Sequence, residues 1–147
     1  MISDRIEKQI QLKASRERVW QALTTPGEFG AWFGVVFLEG TFASGARAKL
    51  RSTHPAHEQE FYVTVEKMEP PSYFSWRWVP GAEQPEGEAS TLVEFRLEER
   101  DGGTLLHVTE SGFDRLSLAY REKAYKDNTG GWEYQTQSIQ RYLAASE

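Results

Sequence analysis

Between Ala46 and Leu97 the apolar residues keep to every second position, segment after segment. Ala46, Ala48 and Leu50 alternate with Arg47, Lys49 and Arg51, and Phe61, Val63 and Val65 with Tyr62, Thr64 and Glu66. Phe74, Trp76 and Trp78 alternate with Ser75 and Arg77, and Thr91, Val93, Phe95 and Leu97 with Glu94, Arg96 and Glu98. Successive side chains of a strand point to opposite faces, so each segment is expected to form a strand with one buried and one solvated face. That is the signature of an antiparallel sheet covered on one side. Its apolar face needs a partner. The end of the chain offers one, because Trp132, Thr136, Ile139 and Leu143 recur at helical spacing.

The remaining segments complete an α+β layout. Ile6, Ile10 and Leu12 mark a first strand over about residues 4–12. Ser15 is placed to cap a helix running to about Thr24, with Val19, Ala22 and Leu23 on its apolar side and Arg16, Glu17 and Arg18 toward water. Thr25-Pro26-Gly27 breaks that helix; Pro26 opens a second short one through Phe29, Trp32 and Phe33, which Gly34 stops. Val35 to Leu38 is a short strand, His54-Pro55-Ala56-His57 a loop, Pro80 to Glu88 a polar loop, and Asp101-Gly102-Gly103 a hairpin turn. Leu106, Val108 and Glu110 then share one face of a last strand, opposite Leu105, His107 and Thr109. From about Ser117 the chain reads as helical, interrupted at Gly130-Gly131, with a fresh helix from Trp132. No repeat or linker divides residues 1–147, so a single domain is expected.

Composition excludes several classes of function. A net charge of −5 lacks the basic excess that neutralises phosphates, which weighs against nucleic acid as a partner. There is no cysteine, hence no disulfide, thiolate nucleophile or cysteine metal site. The segment Met1 to Ile10 has no continuous apolar run, so neither a signal peptide nor membrane insertion is expected, and the cytoplasm is the simplest location. No G-x-G-x-x-G, P-loop or G-x-S-x-G occurs, so no cofactor is expected.

Two sets of residues point to a site. The aromatic share is 13%, with five Trp. If Phe74, Trp76 and Trp78 face inward, they form one wall, with Trp132 across from them and Trp32 and Phe33 near a mouth. Such rings either line a cavity for a flat or greasy ligand or fill a core. Glu110 shares the inward parity of Leu106 and Val108, which puts a carboxylate near the end of the inner face. It could bind a ligand hydroxyl or act as a base; alternatively it forms a salt bridge, with an arginine for instance, or lies exposed at the rim. His107 falls on the outward parity, and His54 and His57 have no third ligand spaced to complete a metal site.

The segment Ala14 to Phe33 resembles the opening helices of the START-related (SRPBCC) superfamily. More narrowly it is similar to the group named after the C-terminal domain of the activator of heat-shock-protein-90 ATPase, with its A-S-x-x-x-V-W-x-A-L-T-x-P pattern and a later W-F. Glu69-Pro70-Pro71 before an aromatic strand, Glu110-Ser111-Gly112-Phe113 and Gly131-Trp132 agree in order along the chain. The resemblance implies a helix-grip fold, a curved antiparallel sheet wrapped around the C-terminal helix with a cavity between. Taken with the inward-facing residues, it leads to the expectation of a small hydrophobic or aromatic, lipid-like molecule as partner, with Trp32, Phe33, Phe74, Trp76, Trp78, Glu110, Trp132 and Thr136 as ligand-binding residues. Thr136 stands where the resemblance leads one to expect leucine, with Gln135 beside it, which would make the pocket more polar there. Two other functions follow from the same resemblance: a cyclase/aromatase-like enzyme working in the cavity, and a co-chaperone module in a stress response, ranked last. A homodimer through an exposed face is compatible with all three.

Overall fold

The computed structural model describes residues 4–53, 59–81 and 87–145; the His54–His57 loop and the middle of the Pro80–Glu88 loop lie outside the described residues. Seven strands form one antiparallel sheet: β1 (Arg5–Leu12), β2 (Val35–Glu39), β3 (Arg47–Ser52), β4 (Glu60–Glu69), β5 (Tyr73–Trp78), β6 (Thr91–Arg100) and β7 (Gly103–Ser111). The helices are α1 (Arg16–Thr24), α2 (Pro26–Phe33) and α3 (Leu118–Ala145). The strand order is β1-β7-β6-β5-β4-β3-β2, so the first two strands of the chain lie at opposite edges. Helices α1 and α2 carry the chain from one edge to the other, and α3 packs on β1 and α2. This is the α+β helix-grip layout that the alternation and the resemblance imply.

Local chemistry sets the corners. Ser15 Oγ accepts from Arg18 N at 3.1 Å and caps α1, whose Val19, Ala22 and Leu23 are buried. Pro26 stands in the first turn of α2, where its missing N–H costs nothing. Gly34 ends that helix at φ +81°, in the left-handed region, and its N–H returns to Gly30 O at 3.0 Å.

The expected alternation holds along the sheet. Ala48, Leu50, Val63, Val65, Phe74, Trp76, Val93, Phe95 and Leu97 are buried. The outer face carries polar pairs, with the Arg47 guanidinium 3.6 Å over the Tyr62 ring and His107 against Glu98 at 3.2 Å. The register slips in β2, between Phe37 and Glu39, and again in β4. In β4 a bulge between Val65 and Lys67 brings Met68 opposite Phe74, so Met68 joins the apolar side.

One expectation needs correction. Gly130-Gly131 do not interrupt the C-terminal helix, which runs unbroken from Leu118 to Ala145. Each helical glycine costs about 1 kcal/mol relative to alanine. The packing of Tyr120 and Ala124 before the pair, and of Trp132, Ile139 and Leu143 after it, outweighs that cost.

Candidate functional site

Glu110 lies one residue from the end of β7, opposite Val93 of β6 and Ile6 of β1. Its inward parity takes it under α3, where it is fully buried. The carboxylate is held by a shell of neutral donors. Trp132 Nε1 donates to Oε1 at 2.8 Å, and Trp78 Nε1 to Oε2 at 2.8 Å. Asn128 Nδ2 reaches both oxygens, at 2.8 and 3.0 Å, and Thr91 Oγ1 reaches Oε2 at 2.5 Å. Indole and amide N–H groups can only donate, so both oxygens act as acceptors. Of the two structural alternatives for Glu110, neither the arginine nor the exposed rim is realised. Among the described residues its partners carry no charge.

The aromatic residues meet as the parity implied. Trp76 is fully buried, with Phe29, Phe33, Phe42, Phe74, Trp78, Phe95 and Trp132 around it at centroid distances of 5.1 to 6.4 Å. Phe74 stacks on Phe95 at 5.9 Å. Phe74 and Trp76 therefore touch other rings. Nearer the surface, Phe33, Trp78 and Trp132 form a triangle of centroids with sides of 6.0, 6.1 and 6.3 Å.

Beside that triangle lies a pocket of about 180 Å³, lined by Phe33, Trp78, Asn128, Gly131, Trp132 and Gln135. Gln135 Nε2 donates to Phe33 O at 3.0 Å, which sets the orientation of the amide because a carbonyl can accept only from the nitrogen. Its other end, Oε1, is buried and has no hydrogen-bond partner among the described residues. The indole N–H of Trp76 is likewise buried and unpartnered.

Two of the expected site residues have other tasks. Trp32 Nε1 donates to Ala22 O at 2.7 Å, which pins α2 to α1. Thr136 is buried, but its hydroxyl turns back to Trp132 O at 2.9 Å and Glu133 O at 3.2 Å, so its own helix absorbs that polarity. The structure brings Phe33, Trp78, Trp132 and Glu110 together and adds Asn128, Thr91, Gly131 and Gln135, none of which the sequence singled out as binding residues. Asn128 had a legible signal. It stands four residues before Trp132 and continues the inner stripe of α3 backwards through Ala124 to Tyr120. Placing a break at Gly130-Gly131 hides that continuity.

Asn128 also fixes the segment after β5. Its Oδ1 accepts from Gly81 N at 3.0 Å, while Tyr120 Oη donates to Pro80 O at 2.7 Å. Gly81 sits at φ +90°, and a Cβ there would collide with the Tyr120 hydroxyl, so this approach needs glycine. On the other flank, Arg18 meets Glu28 at 2.6 Å and Tyr142 Oη donates to the same oxygen at 2.8 Å, which joins α1, α2 and α3. The Glu28 hydrogen bond raises the Arg18 pKa; burial, then Glu28, raises that of Tyr142.

Among the described residues no group of three or more His, Asp or Glu could hold a metal ion, and no helix is long and apolar enough to cross a membrane. An open antiparallel sheet packed with one long helix, with a polar knot and an aromatic pocket beneath that helix, defines a START-related protein of the helix-grip class. Residues 13–144 match the family described as Activator of Hsp90 ATPase homolog 1-like protein, and the chain belongs to that family. No protein with a curated description matches it by sequence.

Solved structures with the same fold include DynU16, a putative protein in the dynemicin biosynthetic locus, at 21% identity and a TM-score of 0.77. That match covers 99% of this chain and 49% of DynU16, so the chain spans about half the length of that relative. Protein MLL2253 from Mesorhizobium loti shares 20% identity at a TM-score of 0.75, over 97% of this chain and 98% of its own. The Aha1 dimer from Colwellia psychrerythraea shares 23% identity at a TM-score of 0.74, over 97% and 96%. At such identities the likeness is one of fold.

Proposed function

We propose that this protein binds a small apolar or aromatic molecule at the pocket between α2, β5 and α3. The observation that carries this reading is the pocket itself, walled by Phe33, Trp78 and Trp132 and bordered by Gln135, whose Oε1 is buried with no hydrogen-bond partner among the described residues. A buried acceptor left unmade costs about 1–3 kcal/mol, and a ligand donor that met Oε1 after a small turn of the Gln135 side chain would relieve it. The pocket's volume of about 180 Å³ suits one ring or one head group. Ligand pockets of about 300–1,000 Å³ are usual, so a larger molecule would need Phe33 or Trp78, both half-buried, to turn aside. Thermal-shift and native mass-spectrometry screens of small aromatic and lipid-like compounds test the reading. The expected result is a bound compound whose stabilising effect is lost in Trp78→Ala; failure to find any binder would count against it.

Binding is favoured over cyclase-like catalysis by the state of the polar groups. Both ends of Asn128 are committed, to Glu110 and to Gly81, and every contact of Glu110 is internal. Among the described residues no second acid or base converges on the pocket lining. The family name raises a co-chaperone role, which an ATPase-stimulation assay with the chaperone would separate from ligand binding. A homodimer remains part of this proposal, in the cytoplasm, and light scattering in solution reads the oligomeric state directly.

A further inference from the structure

We infer that the group recognised in this pocket is an organic ammonium, held against Phe33, Trp78 and Trp132 in the field of the Glu110 carboxylate behind them. The inference rests on the reading that the pocket binds a ligand, and adds the charge that ligand carries.

A carboxylate withdrawn from water is costly unless an opposite charge compensates it. The donors around Glu110 satisfy its oxygens, yet all of them are neutral, so the hydrogen bonding is complete while the charge is not. Three of the six residues lining the pocket, Trp78, Asn128 and Trp132, donate directly to this carboxylate. Its field therefore reaches the pocket through a wall one side chain thick. Among the described residues no Lys, Arg or His lines the pocket to cancel it.

The wall itself suits a cation. Ring centroids 6.0 to 6.3 Å apart allow one positive group to lie within about 6 Å of all three, the reach of cation–π attraction for each ring that turns its face to the pocket. Both indoles give their N–H to the carboxylate, which polarises the rings and makes their faces more negative. Gln135 Oε1 adds an acceptor with no protein donor among the described residues. An anionic ligand would meet the Glu110 charge and that same acceptor. The net charge of −5 also favours approach of a cation over an anion.

The test uses two soluble probes of matched shape, choline and its uncharged isostere 3,3-dimethylbutan-1-ol, followed by tryptophan fluorescence and calorimetry. Choline is expected to bind about tenfold more tightly than the isostere, with an affinity that falls as salt is added. In Glu110→Gln the preference should shrink to about twofold. If that variant does not fold, Phe33→Leu carries the test: it keeps an apolar wall but removes one ring, so it should weaken choline severalfold and leave the isostere within about twofold. Equal binding of both probes, or binding of a neutral aromatic while choline fails, overturns the ammonium inference and leaves the pocket standing. Failure of both probes and of every screened compound overturns the pocket and the inference together.

Discussion

Trp132 of α3 and Glu110 of β7, twenty-two residues apart, are joined by an indole N–H to carboxylate bond of 2.8 Å at the base of the pocket. Trp78 makes the same bond to the other oxygen from β5. One side chain thus ties the long helix to two strands of the sheet, and the aromatic wall takes its position from that knot. Changes at the knot should cost more than equal changes in the apolar core nearby.

Glu110→Gln keeps shape and size but replaces one acceptor oxygen by an NH2 group facing donors. At least one buried N–H then loses its partner, and the variant should be destabilised by about 2–4 kcal/mol. Urea unfolding of the full chain measures this. A loss below about 1 kcal/mol would mean that the donors find other partners and that Glu110 does not organise the site.

Two tryptophans allow a paired comparison. Trp76 and Trp132 are both buried, at 0% and 3% exposure, and both contact several rings. Trp76 Nε1 bonds to nothing among the described residues, whereas Trp132 Nε1 bonds to Glu110. Each Trp→Phe change leaves a similar void, but only Trp132→Phe also removes a donor from the carboxylate. It should therefore be the less stable variant by about 1–2 kcal/mol. Equal melting temperatures for the two would contradict the assignment.

Gly130 and Gly131 lie inside α3, both exposed, and a methyl group added at either would meet no atom within 4 Å. Gly130→Ala should stabilise the protein by about 0.5–1 kcal/mol, because alanine has less freedom to lose on entering a helix. Gly131→Ala should stabilise it similarly. Gly131 also lines the pocket, so its methyl group should weaken ligand binding while that of Gly130 leaves it unchanged. Thermal melts and a binding titration on the two variants separate the effects.

Acid sensitivity should come in part from the start of α3. Ser117 gives its N–H and its hydroxyl to the Glu88 carboxylate at 3.1 and 2.6 Å, which holds the pKa of Glu88 below its ordinary 4.5. A folded-state value below the unfolded one means stability that is complete above about pH 4.5 and fades as pH falls through the folded value. Glu133, lowered by its hydrogen bond to Lys8, acts in the same direction. Melting temperatures between neutral and acid pH should therefore fall less steeply in Glu88→Gln than in the parent chain. Identical acid limbs would show that the Ser117 contact is not maintained in solution.

The sequence by itself determined the strands, their inner and outer faces and the placement of Glu110 among apolar neighbours, because strand periodicity is a local property. It also determined the corners, where Ser15, Pro26 and Gly34 act through their own backbone chemistry. Tertiary packing decided the rest. Whether α3 continues through two glycines depends on what its flanking turns bury, a sum no local signal contains. Parity could send Glu110 inward but could not name its partners. Trp78, Thr91, Asn128 and Trp132 come from two strands and a helix, and meet only once the register of β5, β6 and β7 and the seat of α3 are set. Hydrogen bonds need positions good to a few tenths of an ångström, and packing of the whole domain sets them.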